Sequence, residues 1–299
     1  MIQEILKEKQ KLINHRLAVL LKADRVEHET LYSAMNYSLL AGGKRIRPFL
    51  FLTVLDILGV DSGLYIDAAC ALECVHTYSL IHDDLPAMDN DDYRRGRLTN
   101  HKVYGAGMAT QAGDGLLTFA FQLLSEQKQI APDIRVELIS LLARAAGPEG
   151  MVGGQAHDIE AEGKHLTLSE LKILDACKTG CLLSAPVSMA CAVAGTSMKE
   201  RALLENFAAH LGLLFQITDD LLDEKGNLED MGKCLDRTKR TINPPSSPFL
   251  AWKKQRNTQK KKGPWQKKHW QNFLLIVQFS MNSPICCCIE RNNGQALRA

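Results

Sequence analysis

The sequence predicts an all-α fold. From residue 1 to about residue 230, apolar residues recur at three- and four-residue spacing, and Ala and Leu are abundant. Alternating runs of β-branched residues, which would indicate strands, are nearly absent. Segments rich in Gly, Pro and polar residues separate the predicted helices at 41–48, 84–97, 146–154 and 225–227. At 299 residues, the chain is long enough for one large domain or two ordinary ones.

Charge is unevenly distributed along the chain, although the formal net charge is only +2. Residues 237–299 contain 13 Lys and Arg against the single acid Glu290, whereas residues 1–236 contain 23 Lys and Arg against 33 Asp and Glu. An acidic body with a basic tail can indicate an arm that binds nucleic acid or a membrane surface. We keep this interpretation as an alternative for the tail.

The cysteines and the N-terminus favour a cytoplasmic protein. None of the nine cysteines forms a CxxC motif or a Cys/His pattern at metal-ligand spacing. The first 16 residues are charged throughout and lack the apolar centre of a signal peptide, and no run of 18 apolar residues could span a membrane. Five cysteines in apolar, helix-like stretches are predicted to be reduced core thiols: Cys70, Cys74, Cys177, Cys181 and Cys191.

The first acidic cluster is HDDLPAMDNDDYRRGR, at residues 82–97. On the preceding helical stretch, His76, Ser79 and Asp83 fall at i, i+3 and i+7 and share one stripe. Asp83 and Asp89 are six residues apart, which is not one face of an ideal helix, so Pro86 must distort the turn for them to converge. The cluster consists of Asp83, Asp84, Asp89, Asp91 and Asp92, followed by Arg94 and Arg95.

The second acidic cluster is FQITDDLLDEKGN, at residues 215–227. Its polar residues form one stripe on a helix that otherwise has the composition of a core helix. Unpaired buried carboxylates are very unfavourable, so cations are expected among them. The stripe consists of Gln216, Asp219, Asp220 and Asp223, at i, i+3, i+4 and i+7.

These donors point to magnesium and a diphosphate. Clustered carboxylates without Cys or His suit Mg²⁺, which commonly uses one or two carboxylates together with water and substrate phosphates. Each motif taken singly is more often a solvated loop, a helix cap or a surface pair. Two separated acidic clusters together with three basic ones favour a functional site. The basic residues are Lys44, Arg45 and Arg47, Arg94 and Arg95, and Lys178.

Five blocks of this sequence resemble the signature blocks of the trans-prenyl diphosphate synthase family, and of bacterial farnesyl diphosphate synthases in particular. They are GGKRIRP, HTYSLIHDDLPAMDNDDYRRGR, GGQAHDI, KTG and FQITDDLLD, in the family's order over residues 28–233. The resemblance implies an all-α helix bundle around a central active-site cavity, and a homodimer. It also implies a head-to-tail condensation of isopentenyl diphosphate with dimethylallyl and geranyl diphosphate.

The resemblance implies a role for each matching residue. Isopentenyl diphosphate is assigned to Lys44, Arg47, His76 and Arg95. The allylic diphosphate is assigned to Arg94, Lys178, Thr179, Gln216 and Lys233, of which the first four are the catalytic group. Three Mg²⁺ ions, bound with the allylic diphosphate, are assigned to Asp83, Asp89 and Asp219, with Asp84, Asp220 and Asp223 as additional partners.

The same resemblance implies a mechanism and a product. The allylic C–O bond breaks to give a carbocation, while metal ions and arginines stabilise the leaving diphosphate. The isopentenyl double bond then attacks, and the departed diphosphate removes the final proton, so no protein nucleophile is required. Tyr78, with Ser79 beside it, is expected to form the floor that limits chain growth. Together with the insertion Pro86-Ala87, this block resembles farnesyl-forming enzymes.

The segment after residue 233 differs from the rest of the chain. Helical periodicity stops there, and the segment contains five of the ten prolines and all three tryptophans. We therefore divide the chain into a prenyl diphosphate synthase domain, 1–233, and a tail, 234–299. A shifted reading frame explains the tail, because the codons for 248–256, read two bases later, can spell Ser-Leu-Leu-Gly-Leu-Glu-Lys-Ala-Lys, which resembles the family's continuation.

Several alternatives stay open. The chain could stop at geranyl diphosphate or continue to geranylgeranyl diphosphate. A terpene cyclase is disfavoured because GGKRIRP with His76 and Arg95 supplies a second diphosphate site. The altered tail could leave a catalytically impaired, diphosphate-binding relic. A nucleic-acid-binding arm is disfavoured because translation in a shifted frame explains the basic composition more simply.

Overall fold

The computed structural model describes residues 2–164 and 166–225. Within them the chain forms eleven α-helices, which confirms the predicted all-α class. Residues 226–299, which include Lys233 and the predicted tail, lie outside the described part. The helices are α1 (Ile2–Leu20), α2 (Glu29–Leu39), α3 (Ile46–Ile57), α4 (Ile66–Asp83), α5 (Asn100–Tyr104), α6 (Ala106–Ser125), α7 (Pro132–Ala146), α8 (Met151–Glu160), α9 (Leu168–Asp175), α10 (Cys181–Ala194) and α11 (Met198–Lys225).

Short helical turns connect some of these helices. Two 3-10 turns, Val26–His28 and Ser62–Tyr65, precede α2 and α4, and a π-helical turn, Ala176–Gly180, joins α9 to α10. The π turn contains the KTG block. Because a π turn is wider than an α-turn, it is often found at functional sites.

A small β-hairpin follows the acidic loop, the segment 84–92 that connects it to α4. The sequence did not predict this hairpin. Its antiparallel strands are β1 (Tyr93–Arg94) and β2 (Arg97–Leu98). The turn has φ values of 54° at Arg95 and 74° at Gly96, the two positive values of a type I′ turn. The turn geometry therefore places Arg95 at the tip of the hairpin, in a backbone conformation that is uncommon for a non-glycine residue.

The core is built around α4 and α10. Helix α4 packs against α3 and α6, and α10 packs against α3, α7 and α11. Both helices are buried on most sides, which explains why each is apolar nearly all round. Helix α4 ends at Asp83, and α10 follows directly on the π turn. The two central helices therefore set the positions of Asp83 and Lys178.

One helical stretch is long and apolar enough to cross a bilayer by length and composition alone. It covers Ser169–Ala194 (26 residues), and its most apolar 18-residue window has a mean hydropathy of 1.4. Of its most apolar window, 56% is buried inside the bundle. Because α10, its C-terminal part, packs against three other helices, its composition is that of a core helix.

The five cysteines of the predicted core set are free thiols. Cys70, Cys74 and Cys191 are buried, as predicted, and burial raises the pKa of each thiol. Cys177 and Cys181 are only half-buried, so the expectation of a core position is wrong for these two. They lie in and after the π turn, at the border of the bundle.

Arg45 and Glu73 form a fully buried ion pair at the start of α3. The Arg45 guanidinium lies 2.6 Å from a Glu73 carboxylate oxygen, and their side chains are 1% and 2% exposed. Arg45 also donates to the Asn14 side chain and to the Leu39 carbonyl. The sequence analysis grouped Arg45 with the diphosphate-binding cations. Its guanidinium is instead enclosed in the core, where it ties α1 and α2 to α4.

Removing the charge of Glu73 should strongly destabilise the fold. In Glu73→Gln, the buried Arg45 charge loses its compensation, so the free energy of unfolding should fall by about 3–5 kcal/mol. Asp67→Asn is the matched control, because Asp67 pairs with Arg16 at a partly exposed position, where such a loss costs about 1 kcal/mol or less. Urea denaturation of both variants measures the difference. Equal destabilisation would contradict the structural role of the Arg45–Glu73 pair.

Candidate active site

Asp83 and Asp89 come together because the chain reverses direction after α4. The Asp89 N–H donates to the Asp83 carbonyl (2.8 Å), and the Asn90 N–H donates to the Leu85 carbonyl (3.0 Å). Pro86 lies within this reversal, where α-helical bonding has ended. The predicted distortion therefore exists, and it brings together two acids that a regular helix would separate.

The Asp83 carboxyl lies in an environment that resists its ionisation. Burial raises its pKa to about 6, and the carboxylates of Asp89 and Asp84 act in the same direction. Lys178 and Arg94 lower it, which shows that both cations face the acidic loop. A cation beside Asp83 would remove the cost of ionising it.

The acidic loop fits magnesium as part of a ligand set. Its donors are carboxylate oxygens, the hard ligands that Mg²⁺ prefers. Among the side chains that the structure describes (4–164, 166, 167 and 169–212), no group of three or more His, Cys, Asp or Glu could hold a metal ion alone. An ion at Asp83 and Asp89 therefore needs further oxygen ligands, and water and phosphate groups are those that Mg²⁺ usually takes.

Asp84, the next residue after Asp83, binds Arg94. Its carboxylate, on a residue that is 3% exposed, accepts two hydrogen bonds from the Arg94 Nε (2.7 and 2.9 Å) and one from Nη2 (2.6 Å). The sequence analysis assigned Asp84 to additional metal binding and Arg94 to the allylic diphosphate. In the structure, Asp84 fixes the Arg94 side chain next to Asp83.

Lys178 lies in the π turn before α10. Its Nζ donates to the Asp158 carboxylate (2.5 Å), which α8 supplies from the GGQAHDI block. Lys178 also lowers the pKa of Asp83, so its ammonium group interacts electrostatically with that carboxyl as well. Thr179 follows it in the π turn and is half-buried. Asp158 belongs to the GGQAHDI block, but the resemblance assigns it no role.

A cationic cluster surrounds His76 on α4. Burial lowers the pKa of His76 well below its usual value, and the nearby guanidinium groups of Arg47 and Arg95 lower it further. His76 is therefore neutral near pH 7, and its ring can donate one hydrogen bond and accept another. Such a concentration of positive charge suits a polyanion. Lys44, the fourth predicted member, is exposed at the end of the GGKRIRP loop.

The GGKRIRP loop and the hairpin tip meet at Gly43. The Arg95 Nη1 donates to the Gly42 carbonyl. Gly43 has φ 127°, and a Cβ on it would lie 2.9 Å from the Arg95 guanidinium. Glycine is therefore required both by the backbone and by the close approach of the arginine. This contact brings Arg95 next to the segment that contains Lys44 and, in the first turn of α3, Arg47.

The predicted floor residue lies below the acidic loop on α4. Tyr78 is 6% exposed and belongs to the main hydrophobic core. Its ring packs edge-on against the His82 ring, with centroids 5.5 Å apart. Ser79 is half-buried, and its hydroxyl donates to the His76 carbonyl (2.9 Å). The sequence assigns no role to His82, because its imidazole contacts α6 and the sequence alone does not show that contact.

The remaining predicted residues are only partly described. Helix α11 carries the second acidic stripe, as predicted, but its side chains from residue 213 onward lie outside the described ones. The convergence of the two acidic clusters therefore stays a prediction. The residues concerned are Gln216, Asp219, Asp220 and Asp223 on α11, and Lys233 beyond it.

The family profile of the polyprenyl synthetases, described as "Polyprenyl synthetase", matches residues 28–262. The chain belongs to the polyprenyl synthetase family. This membership confirms the resemblance on which the site residues were assigned. The match extends beyond residue 233, so the domain boundary placed there stays a prediction.

Curated relatives of this polyprenyl synthetase include enzymes of different product length. A farnesyl diphosphate synthase from Geobacillus stearothermophilus is 57% identical over 205 residues, which cover 68% of this chain and 69% of the relative. One from Micrococcus luteus is 46% identical over 79% of this chain and 80% of the relative. A geranylgeranyl diphosphate synthase from Cyanophora paradoxa is 44% identical over 71% of each chain.

Solved structures share the fold. The geranyltransferase of Helicobacter pylori, crystallised with magnesium and isoprenyl diphosphate, has a TM-score of 0.78 and 30% identity, over 98% of this chain and 96% of that one. An FPP/GFPP synthase from Zymomonas mobilis has a TM-score of 0.73 and 38% identity, over 76% of this chain and 82% of that one. These similarities confirm the predicted helix-bundle class.

Magnesium affinity should increase as the pH rises through about 6. Asp83 must lose its proton before it ligates a cation, and its pKa is about 6. The apparent Mg²⁺ affinity should therefore fall roughly tenfold between pH 7.5 and pH 5.

Without metal, the raised pKa of Asp83 favours folding at low pH. The folded carboxyl keeps its proton up to about pH 6 and the unfolded one only to about pH 4, so stability falls as the pH rises between these values.

Thermal unfolding midpoints across a Mg²⁺ series, recorded at both pH values, measure this effect. Asp83→Asn is the matched control, because it removes the titrating group and keeps the side-chain shape. The Mg²⁺ response of this variant should be weaker and should vary little with pH. An identical pH dependence in both proteins would refute the assignment of Asp83 as the titrating metal ligand.

Proposed function

We propose that this polyprenyl synthetase condenses isopentenyl diphosphate with dimethylallyl diphosphate and then with geranyl diphosphate, and releases farnesyl diphosphate. One observation carries the proposal. Asp83, whose carboxyl interacts electrostatically with Lys178, and His76, which the cationic cluster surrounds, both lie on helix α4. The first environment suits a metal-bound diphosphate, and the second suits a diphosphate bound by cations alone.

The allylic diphosphate belongs in the first environment. Asp83 and Asp89 would hold magnesium ions there, and Lys178, together with Arg94 fixed by Asp84, would bind the diphosphate oxygens. When bound, magnesium supplies positive charge that stabilises the leaving diphosphate. Lys178 and Arg94 are held by Asp158 and Asp84, so they need little reorganisation as charge develops on the leaving group.

Isopentenyl diphosphate belongs in the second environment. Arg47 and Arg95 would bind its phosphates through paired N–H groups, and Lys44 would add charge from the exposed end of the loop. His76 is neutral, so its ring can donate to a phosphate oxygen without adding to the repulsion between the arginines. After C–C bond formation, the departed diphosphate takes the final proton, and no protein base is needed.

The finer assignments rest on the resemblance. Thr179 and Gln216 complete the catalytic group, and Lys233 extends the allylic site. Three magnesium ions bind with the allylic substrate, a homodimer is the active assembly, and the cytoplasm is the compartment. The acids that complete the metal set are Asp219, Asp220 and Asp223, with Asp84 as a partner held on Arg94.

Product length depends on the floor at Tyr78. Overall identity alone does not choose the product, because a geranylgeranyl diphosphate synthase is 44% identical and a farnesyl diphosphate synthase is 57% identical. The Tyr78 ring is buried on α4 about one and a half turns before Asp83, so a prenyl chain that extends from a diphosphate at Asp83 into the core would meet it. A phenol ring at this depth favours a farnesyl product.

The purified protein should convert labelled isopentenyl diphosphate and dimethylallyl or geranyl diphosphate, with Mg²⁺, to farnesyl diphosphate. Tyr78→Ala should shift the main product to geranylgeranyl diphosphate, because the side chain that stops the chain is removed. Chromatography of the dephosphorylated alcohols measures both. Geranylgeraniol from the wild type would support the longer-chain alternative, and no product with intact diphosphate binding would support the impaired relic.

Gly43→Ala should weaken isopentenyl diphosphate binding specifically. The added Cβ would lie 2.9 Å from the Arg95 guanidinium and displace it. The loss of one charge-assisted hydrogen bond should raise KM for isopentenyl diphosphate roughly tenfold, with little change for the allylic substrate. Gly59→Ala is the matched control, because Gly59 also has positive φ (76°) but has nothing within 4 Å of the added Cβ. Equal effects on both substrates would contradict the assignment of Arg95.

A further inference from the structure

We infer that His82 is a positioning residue for product length. Its imidazole packs against the Tyr78 ring and fixes the orientation of that ring. The imidazole itself lies against α6, in a space that exists only because residue 113 is glycine. The inference rests on the proposed function and on Tyr78 as the floor. It adds a second determinant, which acts on the growing chain through Tyr78 and not through the diphosphate.

The contact between the two rings is direct. His82 lies four residues after Tyr78 on α4, so the two side chains share one stripe of the helix. Their ring centroids are 5.5 Å apart and their planes meet at 89°. This edge-to-face arrangement is a favourable one for aromatic rings and restricts how each ring can turn. The His82 side chain is 27% exposed, whereas Tyr78 is 6% exposed.

Helix α6 holds the imidazole in this orientation. The His82 Nε2 lies 3.1 Å from the Thr110 carbonyl, and because a carbonyl only accepts, Nε2 carries the proton and donates. The same nitrogen lies 3.7 Å from an Asp114 carboxylate oxygen. The ring is thus held between Tyr78 on its own helix and two oxygen atoms of the neighbouring one.

Gly113 leaves the space for the ring. A Cβ at this position would lie 2.2 Å from the His82 Nε2 and 2.3 Å from Cδ2. Glycine in a helix interior is less favourable than alanine by about 1 kcal/mol. The close approach of α4 and α6 at His82 explains why α6 carries glycine here despite that cost.

The consequence concerns the freedom of Tyr78. The phenol is packed against the core on one side and against His82 on the other. If the imidazole is absent, the slot next to Gly113 is empty, and the Tyr78 ring can turn into it. A ring that has turned aside no longer blocks the prenyl chain, so the product should lengthen although Tyr78 itself is unchanged.

Three variants at His82 separate the ring from its hydrogen bond. His82→Ala removes both, His82→Gln keeps a donor for Thr110 without an aromatic ring, and His82→Phe keeps a ring against Tyr78 without the donor. The C20:C15 product ratio should rise about threefold to tenfold in the first two, the factor expected for the loss of one aromatic contact. His82→Phe should keep the wild-type ratio. His15→Ala, on the exposed face of α1, is the matched control and should also keep it.

A second measurement tests the slot independently of products. Gly113→Ala should lower the thermal midpoint, since its Cβ collides with the imidazole, and His82→Ala in the same chain should restore part of the loss. Additive midpoint changes would overturn the close packing of these residues.

The outcomes are distinguishable. A folded His82→Ala protein with the wild-type product ratio would overturn the inference, as would a folded variant with no product, which would make His82 catalytic. If His82→Ala does not fold, His82→Gln, with a larger side chain, decides the same question. A wild-type chain without product would overturn the proposed function and this inference with it, whereas farnesol from the wild type with unchanged variants would overturn only the inference.

Discussion

Charged side chains inside a helix bundle are stable only where an opposite charge lies beside them. The structure meets this constraint in two ways. Arg45 and Glu73 neutralise each other in the core, as do Arg94 and Asp84 at the edge of the site. Burial raises the pKa of the Asp83 carboxyl and lowers that of the His76 imidazole, so each of these side chains resists carrying a charge. In the proposed function, these are the two places at which a metal ion and a diphosphate bind.

Breaks in the helices, more than the helices themselves, position the reactive groups. The chain reversal after α4 joins Asp83 to Asp89, and the type I′ turn of the hairpin places Arg95 against the GGKRIRP loop. The π turn before α10 presents Lys178. Each break lies beside a regular helix or strand, which stays intact. Asp83, Lys178 and Arg95 are therefore held by rigid elements, as preorganised charge stabilisation requires.

The contact between α4 and α6 links the acidic loop to the apolar part of the site. His82 lies between Asp83, which is assigned to the metal, and Tyr78, which is assigned to the floor. Because α6 approaches closely at Gly113, the imidazole is held by a neighbouring helix and cannot relax on its own. The C-terminal end of α4 thus carries both the residue proposed for metal binding and the residue proposed for chain length, and His82 lies between them in the sequence.

The sequence by itself determined the helical class, the two acidic clusters and the family, because apolar periodicity and local motifs are properties of short segments. It also predicted the distortion at Pro86. Only the tertiary structure decided that Arg45 is a core ion-pair partner, that Asp84 binds Arg94, and that His82 is held by α6. These outcomes depend on contacts between residues 10 to 31 positions apart in the sequence. A local motif does not show which of its basic or acidic side chains has such a partner, so their roles could not be told apart from the sequence.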